Sequence, residues 1–181
     1  MISSARYSLP AIALHWLMVV LLIGLFTLGL YMHDLPLSPD KLKLYSWHKW
    51  AGVTAFILAL LRLAWRLGNR PPPLPAAMPR WQKAASHGMH HLFYVLMLAI
   101  PLSGWLMSSA KGFQTVYFGV LPLPDLLARD KEVGELLQTV HEYLNLTLAA
   151  LVVAHVGAAL KHHLFDRDDV LSRMLPFRDR A

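Results

Sequence analysis

Residues 141–155 read HEYLNLTLAALVVAH. After Glu142 no charge appears until Lys161, so Tyr143–Leu160 is an uncharged apolar run long enough for the core of a membrane helix, which needs about 20 mostly apolar residues. Two histidines bracket the first part of it. At 100° per residue, fourteen residues bring His155 back to within about 40° of His141, and at 1.5 Å per residue the two stand about 21 Å apart along the axis. Both fit inside a hydrocarbon layer about 30 Å thick. One face of one helix therefore carries an imidazole near each membrane surface.

Three further apolar runs precede it. Ala11–Tyr31 is uncharged, with Pro10 just ahead in a position suited to a helix start. A second span runs from about Ser46 to Arg66, its uncharged core Trp50–Leu61 lying between Lys49 and Arg62. The third has its core at Leu92–Ala110 and is interrupted by Pro101, which membrane helices tolerate with a kink. The spacing predicts an all-α membrane bundle of four helices over about 11–31, 46–66, 88–110 and 136–163, with residues 1–181 forming one membrane domain. Asp130–Leu137 is able to begin the fourth helix early, and the 111–135 loop has room for a short surface helix. The first run reads as a retained helix rather than a signal peptide. It is long for that role, and Met32-His33-Asp34-Leu35-Pro36 offers no small-residue cleavage site.

Composition agrees. Hydrophobic residues make up 56% of the 181, charged residues only 15%, and mean hydropathy is +0.42, whereas soluble domains carry about 25% charged residues. Cysteine is absent. That excludes disulfides, thiolate-held clusters and haem attached through C-x-x-C-H. The net charge of +6 is mostly topological. The side holding both termini and the 67–91 loop carries eleven Lys/Arg against four acids, and the other side six against seven. The positive-inside rule makes the first side cytoplasmic, and no nucleic-acid partner is needed to explain the charge. All six tryptophans suit the interfacial belt.

A titratable side chain within a span marks function by default. His15 lies near the cytoplasmic end of the first helix and His48 near the outer end of the second. By depth, His48 pairs with His141 and His15 with His155. Two non-covalent haems, each held by two histidines and stacked across a helical bundle, use all four. The neighbours suit a planar cofactor: Gly52 and Ala55 clear the face of His48, and Gly29 thins the first helix at that level. Arg62, fourteen residues after His48, faces the cytoplasmic haem, where it can pair with a propionate. Interhelical hydrogen bonding by isolated histidines accounts for any one of these residues but not for four at matched depths. A proton or metal transporter calls for carboxylates within the spans, and none lies between Glu142 and Lys161. His87 and His90 are alternatives to His15 as ligand. His33 reads as a solvated loop residue. His162 and His163, ending the fourth helix, also suit a simple interfacial role.

Taken together, the chain resembles the bacterial di-haem cytochrome b561 family over nearly its full length. The matching stretches are Arg6-Tyr7, Leu14-His15-Trp16, His48-Lys49-Trp50-Ala51-Gly52, Arg62-Leu63-Ala64-Trp65-Arg66 and Pro71-Pro72-Pro73. His90 before Tyr94, His141-Glu142, and His155 through Ala158-Ala159-Leu160-Lys161-His162-His163 complete the set. The resemblance implies a four-helix bundle in the bacterial inner membrane, two b-type haems, and His15, His48, His141 and His155 as axial ligands, with Arg62 and Lys49 beside the cofactors.

Some members of that family oxidise superoxide on the periplasmic side and reduce ubiquinone in the membrane, and others are electron carriers. The resemblance therefore implies a cytochrome moving electrons between a periplasmic donor and the quinone pool. Superoxide:quinone oxidoreduction is the first expectation. The alternative is a quinol-oxidising carrier, or a cytochrome b subunit, exchanging electrons with a periplasmic redox protein. His90, Lys161 and His162 are candidates to bind a quinone carbonyl or deliver protons.

Overall fold

The computed structural model describes residues 6–176. Four long helices carry the fold: α1 Leu9–His33, α2 Pro39–Gly68, α3 Arg80–Ala110 and α4 Lys131–Lys161. Each is long and apolar enough to cross a membrane, as the apolar runs predict. The helices start earlier than the runs do, and in α2 and α4 a side-chain cap, not hydrophobicity, sets the first turn. Ser38 caps α2 by accepting from the Lys41 N–H at 3.2 Å, with Pro39 next in the chain. Asp130 caps α4 through the Val133 N–H at 3.1 Å, so this helix does begin ahead of its apolar run. Pro101 sits inside an α3 that continues to Ala110.

In the bundle, α1 packs on α2, α2 on α3 and α3 on α4, while α4 approaches α1 and α2 far less closely. The tightest packing is midway along the bundle. There Met18, Ala55, Ala59 and Met97 form one buried cluster, and Leu96, Ile100 and Leu148 a second. Leu148 lies seven residues from both His141 and His155, so the packed layer separates the two histidine levels. Elsewhere the helices expose large apolar side chains, Val20, Ile23, Leu61 and Val153 among them, as a lipid-facing surface requires.

The segment after α3 is not the expected surface helix. It is a small antiparallel hairpin, β1 Val116–Tyr117 and β2 Leu121–Pro122, pairing Val116 with Pro122 and Tyr117 with Leu121. Phe118, Gly119 and Val120 form its turn, the first two with φ of 50° and 74°, a doubly left-handed geometry that matches strand twist. Gly112, Gly119, Pro122 and Pro124 break any helix there. The hairpin is tied to α2, because Trp50 Nε1 donates to the Val116 carbonyl at 2.6 Å and Thr54 Oγ1 lies 2.9 Å from the Tyr117 hydroxyl.

At the opposite end the chain folds back on itself. After α4, a π turn at His162–Asp166 leads to Arg167 in the left-handed region and a short 3-10 turn, Ser172–Met174. Trp16 Nε1 donates to the Met174 carbonyl at 2.8 Å, Tyr7 N–H to the Arg173 carbonyl at 3.5 Å, and Arg173 Nη1 to the Pro73 carbonyl at 2.6 Å. The C-terminal segment thus straps α1 to the proline-rich connector. Four of the six indole N–H groups (Trp16, Trp50, Trp65 and Trp105) bond to residues outside the four long helices.

Candidate functional site: two histidine pairs spanning the bundle

The structure brings together both pairs expected from the spacing. The rings of His48 on α2 and His141 on α4 stand 6.5 Å apart between centroids, and those of His15 on α1 and His155 on α4 stand 6.4 Å apart. Both separations are too long for a direct hydrogen bond and too short for an intervening side chain. Two imidazoles bound end-on to one iron, each through a metal–nitrogen bond of about 2 Å, have ring centres roughly 6 Å apart. Each pair bridges α4 to a helix it does not pack against closely, which leaves room between the rings.

A cavity of about 280 Å³ lies at the His48–His141 level, its walls including His48, Gly52, Ala55, Pro101, His141 and Leu148. Its lining is almost wholly apolar, as a porphyrin face requires. Two glycines lie beside the rings, and the closer one leaves no room for a side chain. A Cβ on Gly104 would stand 3.1 Å from His141 Cε1, and one on Gly29 would stand 3.4 Å from His48 Cε1.

Hydrogen bonding fixes the tautomer of His141. His141 Nδ1 lies 3.0 Å from the Ile100 carbonyl and 2.9 Å from Ser103 Oγ, while the Ser103 hydroxyl donates to the same carbonyl at 2.7 Å. A carbonyl only accepts, so Nδ1 carries the proton and Nε2 keeps its lone pair for a metal. Among the described residues, the buried Nδ1 atoms of His15 and His48 have no hydrogen-bond partner. A neutral imidazole protonated at either nitrogen keeps a lone pair on the other for a metal, so both rings can serve as ligands. The donor set fits haem.

The His15–His155 level has a different character. His90 lies against His155 at 5.7 Å with its ring perpendicular, and its Nδ1 lies 2.6 Å from the Ser86 carbonyl. Phe93 walls the same ring at 5.4 Å. Arg62 rests 6.0 Å above the Tyr94 ring and within electrostatic reach of His15, His90 and His155. A guanidinium among three imidazoles is a cationic setting suited to the carboxylates of a haem.

The remaining predicted residues are placed as follows. Lys49 donates to the Phe113 carbonyl at 2.8 Å, anchoring the hairpin segment rather than lining the cavity. Lys161 is paired with Asp166 at 2.6 Å. His162 Nδ1 lies 2.7 Å from Asp168 Oδ2 and 3.1 Å from Asp166 Oδ2. His33 is exposed and lies 2.8 Å from Asp34. His87 lines a separate surface hollow with Arg70, Lys83 and the proline run. Sequence reasoning missed Ser103 and Gly104. The only signal for them was a serine–glycine pair in a membrane span.

Comparison with known proteins agrees with this architecture. Residues 6–177 match the family model for prokaryotic cytochrome b561. The chain is 36% identical to cytochrome b561 homolog 2 of Escherichia coli K12, over 94% of this chain and 91% of that protein. It is 30% identical to cytochrome b561 homolog 1 of the same organism, over 96% and 98%. With the probable superoxide oxidase CybB of Yersinia pestis it shares 25% identity over 94% and 96%. Four spans, paired intramembrane histidines and this match lead to one conclusion: the chain belongs to the prokaryotic cytochrome b561 family, multi-pass membrane electron carriers that bind haem b.

Proposed function

We propose that the chain, acting as one membrane domain, holds two haem b groups by bis-histidine ligation, through His48/His141 and His15/His155. The observation carrying this is the repetition of one ring spacing, 6.5 and 6.4 Å, at two levels of the bundle. Haem supplies reversible one-electron storage at each level; the side chains supply ligation, burial and charge. By the charge asymmetry, both termini and the His15/His155 level lie on the cytoplasmic side of the bacterial inner membrane, and the His48/His141 level faces the periplasm.

The function supported best is superoxide oxidation at the periplasmic level coupled to ubiquinone reduction near the cytoplasmic one. Two superoxide anions each give up one electron and leave as dioxygen. The quinone takes up two electrons and two protons to become quinol. The periplasmic lysines suit an anionic substrate. Lys41 donates to the His33 carbonyl at 3.1 Å and also to the Leu35 carbonyl, Lys49 to that of Phe113, and Lys111 to the Gln138 side-chain oxygen. These hydrogen-bond acceptors are neutral, with Asp125 the acid within electrostatic reach of Lys49, and local positive charge steers anions. At the other end Asp168 orients His162, a geometry fitted to proton delivery, while Lys161 is held by Asp166. His90, beside His155, is the second candidate at the quinone.

The test is a superoxide pulse on detergent-purified, haem-loaded protein, with and without a short-chain ubiquinone. Rapid haem reduction followed by quinone-dependent reoxidation is expected. Haems that ignore superoxide but are reduced by quinol overturn this reading. They favour instead a quinol-oxidising carrier or cytochrome subunit, with exposed Asp34 and Glu142 available to dock a basic redox partner.

A further inference from the structure

The two histidine levels are not electrically equivalent. At the His48/His141 level, the His141 imidazole N–H is bonded to the Ile100 carbonyl and to Ser103 Oγ, and Ser103 is itself buried. Hydrogen bonding of this kind raises the basicity of a metal-bound imidazole. A more basic ligand favours the more positive, oxidised iron. Glu142 adds a negative charge within reach of His141, which acts in the same sense. At the His15/His155 level, neither ring donates a hydrogen bond among the described residues; His15 Nδ1 is buried without a partner, as is His48 Nδ1 at the first level, so the contrast lies in the bonds of His141 alone. The charge within reach there is the Arg62 guanidinium, which favours the less positive, reduced iron. Ligand basicity and nearby charge therefore push the two levels apart in the same direction.

Building on the two-haem reading above, we infer that the His48/His141 level has the lower reduction potential and the His15/His155 level the higher. Ser103 and Glu142 lower the first, and Arg62 raises the second. With haem held at both levels, an electron would pass from the first to the second, with no proton moved and no other reactant. The gradient runs from the hairpin end of the bundle to the strapped end. Ser103, Glu142 and Arg62 are positioning and tuning residues in this account.

The experiment is a spectroscopic redox titration of the full-length, haem-loaded protein, with each step assigned from His48→Ala and His15→Ala, each lacking one haem. Wild type should show two resolved steps, the lower one missing in His48→Ala. Ser103→Ala and Glu142→Gln should each raise the lower step alone, Ser103→Ala only partly because the Ile100 carbonyl remains. Arg62→Gln should lower the upper step alone. A single unresolved step, the reverse assignment, or steps unmoved by all three substitutions overturns the inference. Where the histidine variants do not fold, Ser103→Ala and Arg62→Gln still decide, since each must move a different step in the stated direction. If His48→Ala and His15→Ala remove the same haem, the ligand pairing has failed, and that result is distinct from a wrong order of potentials.

Discussion

Gly104 makes the closest approach of any glycine to the paired histidines. An added methyl group would meet His141 Cε1 at 3.1 Å and Nδ1 at 3.4 Å. His141 cannot retreat without giving up Ile100 and Ser103. Gly104→Ala is therefore expected to lower haem content from about two per chain toward about one, with the His15/His155 level retained. Pyridine haemochrome stoichiometry measures this directly. Gly29→Ala meets His48 only at 3.4 Å, near ordinary contact, and should keep both haems. The four paired histidines were legible in the sequence because depth and face follow from helical arithmetic. Ser103 was not, since its partner lies 38 residues away and a serine in a membrane span reads equally well as bonded to its own helix.

Individual elements show where hydropathy stops being informative. An apolar window locates the part of a helix within lipid, but the helix itself begins where its end N–H groups find an acceptor. That is why α2 starts at Pro39 and not near Ser46. Removing the α4 cap with Asp130→Ala should cost about 1 kcal/mol and appear as a lowered Tm with an unchanged haem spectrum. The hairpin after α3 was beyond the sequence reading. Its turn puts a phenylalanine at positive φ, a conformation no residue preference would suggest. It persists because Trp50 and Thr54 on α2 hold its first strand. Trp50→Phe keeps the ring but removes the bond to Val116, and should raise amide exchange at 116–122 while leaving α2 protected.

Over the whole molecule, the weak seam lies between α4 and the helices across from it. Protein packing alone holds α1, α2 and α3 in sequence and α4 to α3. Iron bridging His48 to His141 and His15 to His155 would close the remaining seam. Depleting haem should accordingly raise hydrogen exchange most in α4 and least in the α1–α2 contact, and equal loosening of all four helices would contradict this. The four-span architecture and the charge asymmetry were both readable from composition and order. A cysteine-free chain makes the orientation simple to test. A cysteine placed at Asn69 should react with a membrane-impermeant maleimide only in inverted vesicles, and one at Leu127 only in right-side-out cells.

The strap joining the last described residues to Tyr7, Trp16 and Pro73 has a consequence for biosynthesis. Tyr7, Trp16 and Pro73 all leave the ribosome before His141, whereas Arg173 and Met174 follow His155. Under the proposed ligation, each iron also takes one of its two ligands from α4, which is made after α1, α2 and α3. Neither cofactor can be clamped before α4 is made, nor the bundle latched before Arg173 and Met174 follow it. Cofactor loading thereby reports that synthesis has passed α4: a nascent chain that stalls before His141 gives the cell a membrane-inserted but colourless product, open along one side and exposed to quality-control proteases.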